Sequence, residues 1–178
     1  IFILGKNLKL NKKEILSEIN FQSPYVDLPK KMTVEQNLSF YSRLYGVKNF
    51  NIVIENLVDD LKIRDLVKKN YGSLSAGQKT KINLCKALLN KPKLLLLDEP
   101  TASLDPETSI FIRNYLLEYQ KKNSSSILIT SHNLDEVQAM CSNIILLKSG
   151  EIVSEGNIKQ ILKNYNYKTL IELFLSEG

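Results

Sequence analysis

Leu94-Leu95-Leu96-Leu97-Asp98-Glu99-Pro100 is the stretch on which the fold turns. Four consecutive leucines bounded by Pro92 and Pro100 are too short for an isolated helix. They predict a strand buried on both faces, as in a parallel sheet. In open α/β sheets, ligand chemistry gathers outside the carboxyl ends of the strands, which is where Asp98 and Glu99 stand. Side chains alternate along a strand, so two adjacent carboxylates can take separate tasks.

The flanking segments say which tasks. Upstream, Leu74-Ser75-Ala76-Gly77-Gln78 opens a helix predicted over about 76–89. A helix start offers unpaired N–H groups and the positive end of the dipole, a place for a phosphate. Ser75 can donate to a phosphate oxygen and Gly77 admits a close backbone approach. A plain capping box, Ser75 with Gln78, explains the same residues and is compatible with a phosphate site. Downstream, an apolar strand over 126–130 is followed by His132, the only histidine. Phosphate grip, two carboxylates and histidine in this order indicate nucleotide hydrolysis. One carboxylate suits Mg²⁺, which takes few protein carboxylates and keeps several waters. The other suits the attacking water, since phosphoryl transfer needs positioning and charge stabilisation. A buried strand ending in a solvated acidic turn is the alternative for Asp98-Glu99 by itself.

Further out, the pattern is strand, helices, then α/β alternation. Ile1-Phe2-Ile3-Leu4-Gly5 predicts an apolar strand ending at a turn, and residues 18–22 a second one ending in Gln22. Pro24 and Pro29 mark a loop. Thr33-Val34-Glu35-Gln36 is a capping-box pattern starting a helix that Gly46 stops, and 52–66 predicts another. Asp105-Pro106 opens a helix to about 123, with Asp as cap and Pro where a missing N–H costs nothing. Asn133 caps a short helix with Glu136 completing the box, 143–147 and 151–153 pair through Ser149-Gly150, and 167–175 predicts a last helix.

The 178 residues suffice for one well-buried domain. No apolar run approaches the ~20 residues of a membrane helix. Cys85 and Cys141 share no metal-ligand spacing and read as free thiols of a reducing compartment. The net charge of +5 is nearly all lysine, scattered along the chain, which reads as a solvated surface and not as a nucleic-acid stripe.

These motifs, LSAGQ at 74–78, LLLLDEP at 94–100, ASLD at 102–105 and SH at 131–132, resemble the ATP-binding subunit of ABC transporters. Ala76 replaces the first glycine of the family's LSGGQ signature. The resemblance implies an α/β fold: a P-loop NTPase-like ABC ATPase core with an inserted α-helical subdomain. Residues 1–24 and 73–178 would form a partial RecA-like core, and 25–72 the helical subdomain leading to the signature motif. It implies ATP and Mg²⁺, with Asp98 (Walker B) and Gln22 (Q-loop) at the metal and Glu99 and His132 catalytic. Ser75, Ala76, Gly77, Gln78 and Asp105 (D-loop) would contact nucleotide. A surface amide explains Gln22 and helix capping explains Asp105 equally simply. Implied partners are a second ATP-binding subunit and a transmembrane permease, at the cytoplasmic face of the membrane, with no nucleic acid.

Met32-Thr33-Val34-Glu35-Gln36-Asn37-Leu38, the run 44–47 and the ending 169–175 look like the ABC-2 export branch. The family's G-x-x-x-x-G-K-[ST] phosphate loop is not found, since Asn7 follows Gly5-Lys6. The expectation is therefore a subunit truncated before the Walker A loop, its N-terminal P-loop portion missing. Such a chain would be inactive by itself and would lack a strand beside that of Asp98. The rival readings are a soluble ABC ATPase acting on nucleic acid or ribosomes, and a non-hydrolysing degenerate subunit.

Overall fold

The computed structural model describes residues 1–176. The chain forms two compact units, Ile1–Thr130 and the segment from Ser131 onward. The first opens with a small hairpin, β1 (Phe2–Ile3) antiparallel to β2 (Lys6–Asn7). Leu4 and Gly5 turn it at φ 52° and 74°, the conformation of a tight hairpin turn. The single apolar strand expected over 1–4 is thus a hairpin, and the polar stretch behind it forms helix α1 (Lys12–Glu18), with Ile15 fully buried.

β3 (Ile19–Gln22), β4 (Leu94–Asp98) and β5 (Ser126–Thr130) form a parallel sheet in that order. Gln22 lies beside Leu97, and Asp98 beside Thr130. Two expectations are corrected here. β4 is hydrogen-bonded along both sides, so no strand is missing next to that of Asp98. Nor is it buried on both faces. Leu95 and Leu97 are sealed at 0% and 2% exposure, while Leu96 lies on the other face between Phe21 and Leu128, exposed at 46% and 59%.

The helices between β3 and β4 supply most of the core. α2 (Val34–Leu44) starts with the full capping box, Thr33 Oγ1 accepting from the Gln36 N–H while Gln36 Oε1 accepts from the Thr33 N–H. α3 (Phe50–Asp60) buries Ile54, Leu57 and Val58. It ends earlier than the apolar spacing predicts, because Lys62 turns left-handed at φ 53°. A single 3-10 turn, Arg64–Leu66, continues the chain. α4 (Ala76–Leu88) is the most enclosed helix of this unit, burying Ile82, Leu84, Cys85, Ala87 and Leu88. α5 (Pro106–Asn123) returns the chain to β5, stopped by Ser124 at φ 50°.

The second unit packs α6 (Leu134–Met140), the antiparallel pair β6 (Asn143–Lys148) and β7 (Glu151–Asn157), α7 (Ile158–Tyr165) and α8 (Leu170–Ser176). Its core is Ile158, Ile161, Leu162, Leu170 and Leu173. Where one final helix is expected there are two. Asn157 caps α7, its Oδ1 accepting from the Lys159 and Gln160 N–H groups. Asn166, at φ 57°, ends it. Cys85 and Cys141 are free thiols.

Lys86 is the unusual core residue of α4, 6% exposed. Burial pushes its pKa down to about 8. Between that value and the ordinary one of about 10.4, the unfolded chain binds more protons than the folded one, so stability rises with pH across the window. In urea unfolding from pH 8 to 10, the wild-type protein should gain on Lys86→Met, by at most the order of 3 kcal/mol. A difference that is flat with pH would contradict the desolvation of this ammonium.

Candidate nucleotide site

The parallel register brings three oxygen-bearing side chains to one end of the sheet. Asp98 is the last residue of β4 and lies on the face opposite to Leu97. Its Oδ1 accepts from Thr130 Oγ1 at 2.7 Å and its Oδ2 from Ser23 Oγ at 2.9 Å. Each carboxylate oxygen keeps lone pairs in reserve, since an ionised carboxylate has about four acceptor sites. The carboxylate is thus fixed in orientation and still able to accept a cation or its hydration water. Among the described residues no cluster of three or more His, Cys, Asp or Glu is present. A hard cation here would therefore complete its shell with water and phosphate oxygens, as Mg²⁺ does in phosphate-transfer sites. One carboxylate and two hydroxyls are a donor set that fits it.

Glu99 leaves the strand at φ 48°. Its N–H donates to the Thr130 carbonyl at 2.9 Å. A left-handed glutamate is uncommon and costs energy, a feature that gathers at functional sites. With Glu99 left-handed, the alternation of the strand ends at Asp98.

The helix start at 75–78 is built by reciprocal capping. Ser75 Oγ accepts from the Gln78 N–H at 3.3 Å, and Gln78 Oε1 accepts from the Ser75 N–H at 3.1 Å. Ser75 and Ala76 are exposed, with the hydroxyl proton of Ser75 still available to donate. Gly77 does admit a close backbone, that of its own chain: a Cβ there would lie 2.9 Å from the Ser103 carbonyl oxygen. Thr80 Oγ1 donates to the Ala76 carbonyl at 3.1 Å, with the Ala102 carbonyl as a second, longer acceptor at 3.4 Å. The segment leaving Glu99 therefore rests on the first turn of α4.

Asp105 caps α5, its Oδ1 accepting from the Thr108 N–H at 2.9 Å. That N–H bond holds its carboxyl below the usual range. Gln22 shares the face of Leu97 and not that of Asp98. It is 2% exposed, and neither Nε2 nor Oε1 has a hydrogen-bond partner among the described residues. The structure does not bring the expected pair, Asp98 and Gln22, together; Ser23, one residue on, meets the carboxylate instead. His132 is exposed and belongs to the second unit, just before Asn133, whose Oδ1 accepts from the Glu136 N–H at the start of α6. Ser23 and Thr130 were not singled out in the sequence. Their only signal is being the polar residues at the carboxyl ends of the strands that flank β4.

Gly77 yields a test with an informative sign. In a helix, alanine is ordinarily better than glycine by about 1 kcal/mol. Here the added methyl meets backbone, and Gly77→Ala should lower the unfolding free energy by about 1–3 kcal/mol in a denaturant titration. A stabilised variant would contradict the close approach of Ser103.

The ABC transporter family model matches residues 1–102. NatA of Bacillus subtilis (strain 168), an ABC transporter ATP-binding protein, is 32% identical over 149 residues, 83% of this chain and 60% of NatA. The tungstate uptake ATP-binding protein TupC of Peptoclostridium acidaminophilum is 36% identical over 68% of this chain and 58% of its own length. The Nod factor export ATP-binding protein I of Rhizobium sp. (strain N33) is 27% identical over 98% of this chain and 58% of its own. The chain thus spans about three-fifths of the length of these relatives. Among solved structures, an ABC transporter ATP-binding subunit shares the fold with a TM-score of 0.87 at 21% identity, over 98% of this chain and 74% of that one. CbiO1 of Clostridium perfringens, part of the complex cbiONQ, has a TM-score of 0.72 at 28% identity, over 99% and 75%.

The family match starts at residue 1 and corrects the expectations of a subunit truncated before the Walker A loop and of a fold with its P-loop portion missing. The matched range includes Gly5-Lys6. The inactivity expected of a truncated chain is withdrawn with them. With more than half of its residues inside the family model, and the family's fold carrying Asp98 and Glu99 at a strand end, the chain belongs to the ABC transporter family.

Proposed function

We propose that this chain is the ATP-hydrolysing part of an ABC transporter. The observation that carries the reading is the carboxylate of Asp98, held by Ser23 and Thr130 at the sheet end, with Glu99 in a left-handed turn as the next residue. Bound Mg²⁺ would neutralise phosphate charge as the terminal phosphoryl group transfers to water. Asp98 would hold that cation directly or through its water; Gln22, whose amide lies on the other face of the sheet, would join it only after a change of rotamer or backbone at the end of β3. Glu99 takes the proton of the attacking water while the bond from the γ-phosphorus to the bridging oxygen breaks and ADP departs. His132 is assigned to the γ-phosphate. Ser75, Ala76, Gly77 and Gln78 are assigned to the nucleotide held by a second ATP-binding subunit, and Asp105 to the contact between the two.

The finer reading is an exporter of the ABC-2 branch, acting with a transmembrane permease at the cytoplasmic face of the membrane. The runs 32–38, 44–47 and 169–175 support it, as does a relative named for Nod factor export. The relative named for tungstate uptake is similar over a shorter part of the chain. No described helix is long and apolar enough to cross a membrane, so a permease would be a separate chain or segment.

Glu99→Gln in the protein should keep ATP binding and lower turnover by about 10²–10⁴-fold, the contribution of a positioned general base. Binding can be followed with a fluorescent nucleotide and turnover by phosphate release. Undiminished turnover would refute the role of Glu99. A wild-type protein that binds ATP without turnover would favour the non-hydrolysing reading.

A further inference from the structure

Lys86 has no carboxylate partner among the described residues, although its side chain is almost wholly buried. Its Nζ donates instead to the Phe21 carbonyl at 3.0 Å and to Asn20 Oδ1 at 3.4 Å. The same ammonium lies 4.8 Å from the centre of the Phe21 ring and 5.8 Å from that of Tyr41, within reach of a cation–π attraction. Asn20 is itself held, donating to Asn90 Oδ1 at 2.8 Å, while Asn90 donates to the Ser17 and Ile19 carbonyls. One ammonium therefore ties α4 to the end of β3 and to α2.

A leucine would fill this space without the cost of burying a charge, so the cation serves something other than packing. What it grips is the backbone one residue before Gln22 and two before Ser23. Lys86, Gln22, Ser23 and Asn83 line one small cavity, into whose wall the unpartnered Gln22 amide is built. Ser23 in turn holds Asp98. At the other end of α4, about 15 Å away at 1.5 Å per residue, is the Ser75–Gln78 start.

We propose that Lys86 is a positioning residue of the nucleotide site: it pins the end of β3 to α4 and so holds Ser23 against Asp98. This rests on the ATPase reading above. Without the ammonium the Phe21 carbonyl loses its donor, the 21–24 segment loosens, and Asp98 keeps only Thr130. The carboxylate then meets a cation in less ordered geometry, while groups that bind nucleotide elsewhere are untouched.

The test compares wild type, Lys86→Met, which keeps an unbranched apolar stem, and Lys86→Arg, which restores a cation. Hydrogen exchange over 20–26 and 94–98 is measured alongside the Mg²⁺ and ATP dependence of turnover. In Lys86→Met, exchange at Phe21, Gln22 and Ser23 should rise by about tenfold or more while 94–98 stays protected, as expected for a lost charge-assisted hydrogen bond. Half-saturating Mg²⁺ should rise severalfold with little change in the KM for ATP. Arginine should restore both. Wild-type exchange in Lys86→Met, or a proportional loss in Mg²⁺ and ATP dependence, overturns the proposal. If the methionine variant loses protection throughout α4, the arginine variant decides: native protection and Mg²⁺ dependence support the proposal, and their loss overturns it. Absence of turnover in the wild-type protein overturns the ATPase reading, and the exchange data separately decide whether Lys86 pins β3.

Discussion

The two hydrogen bonds that Asp98 accepts, from Ser23 and Thr130, depend on a single constraint: the register of three parallel strands. Side chains alternate along a strand, so a slip of one residue in β3 would present Gln22 to the carboxylate, and a slip in β4 would turn Asp98 to the opposite face. What holds the register is the buried side of the sheet. Leu95 and Leu97 are sealed there, with Asn20 and Gln22 beside them. Glu99 depends on the same register, since its backbone N–H is anchored on the Thr130 carbonyl.

α4 connects the chemistry to the rest of the first unit. Its capped start faces solvent, its second residue presses against the Ser103 carbonyl in the segment leaving Glu99, and its tenth residue past the start grips β3. Two points on one helix, Gly77 and Lys86, thus touch the segment leaving Glu99 and the end of β3. Gly77 is needed because any Cβ would meet that carbonyl, a reason internal to the chain and independent of any phosphate. Asp105 likewise has a local role, capping α5.

Elements whose signal is local were legible in the sequence. The boundaries of α4, α5 and β5 follow from Ser75, from Asp105-Pro106 and from a short apolar run, and the capping box at Thr33 forms in full. Features set by tertiary context were not. The first residues look like one strand by composition, and only the left-handed pair Leu4-Gly5 makes them a hairpin. Four leucines suggest burial on two faces, yet what covers a sheet face is not written in the strand. In the site, Asp98 and Glu99 were readable from their place after an apolar strand. Ser23 and Thr130 were not, because a hydroxyl becomes informative only when the pairing partner of its strand is known. Lys86 was equally hidden: among so many lysines, nothing local distinguishes the buried one.

The most direct measurement is paramagnetic broadening of the protein's NMR signals by Mn²⁺ as a stand-in for Mg²⁺, added with ATP. If Asp98, held by Ser23 and Thr130, is the metal carboxylate, the signals of residues 23, 98 and 130 broaden first and together, and excess Mg²⁺ restores them. Broadening that spares these three residues while striking another part of the chain would contradict the account.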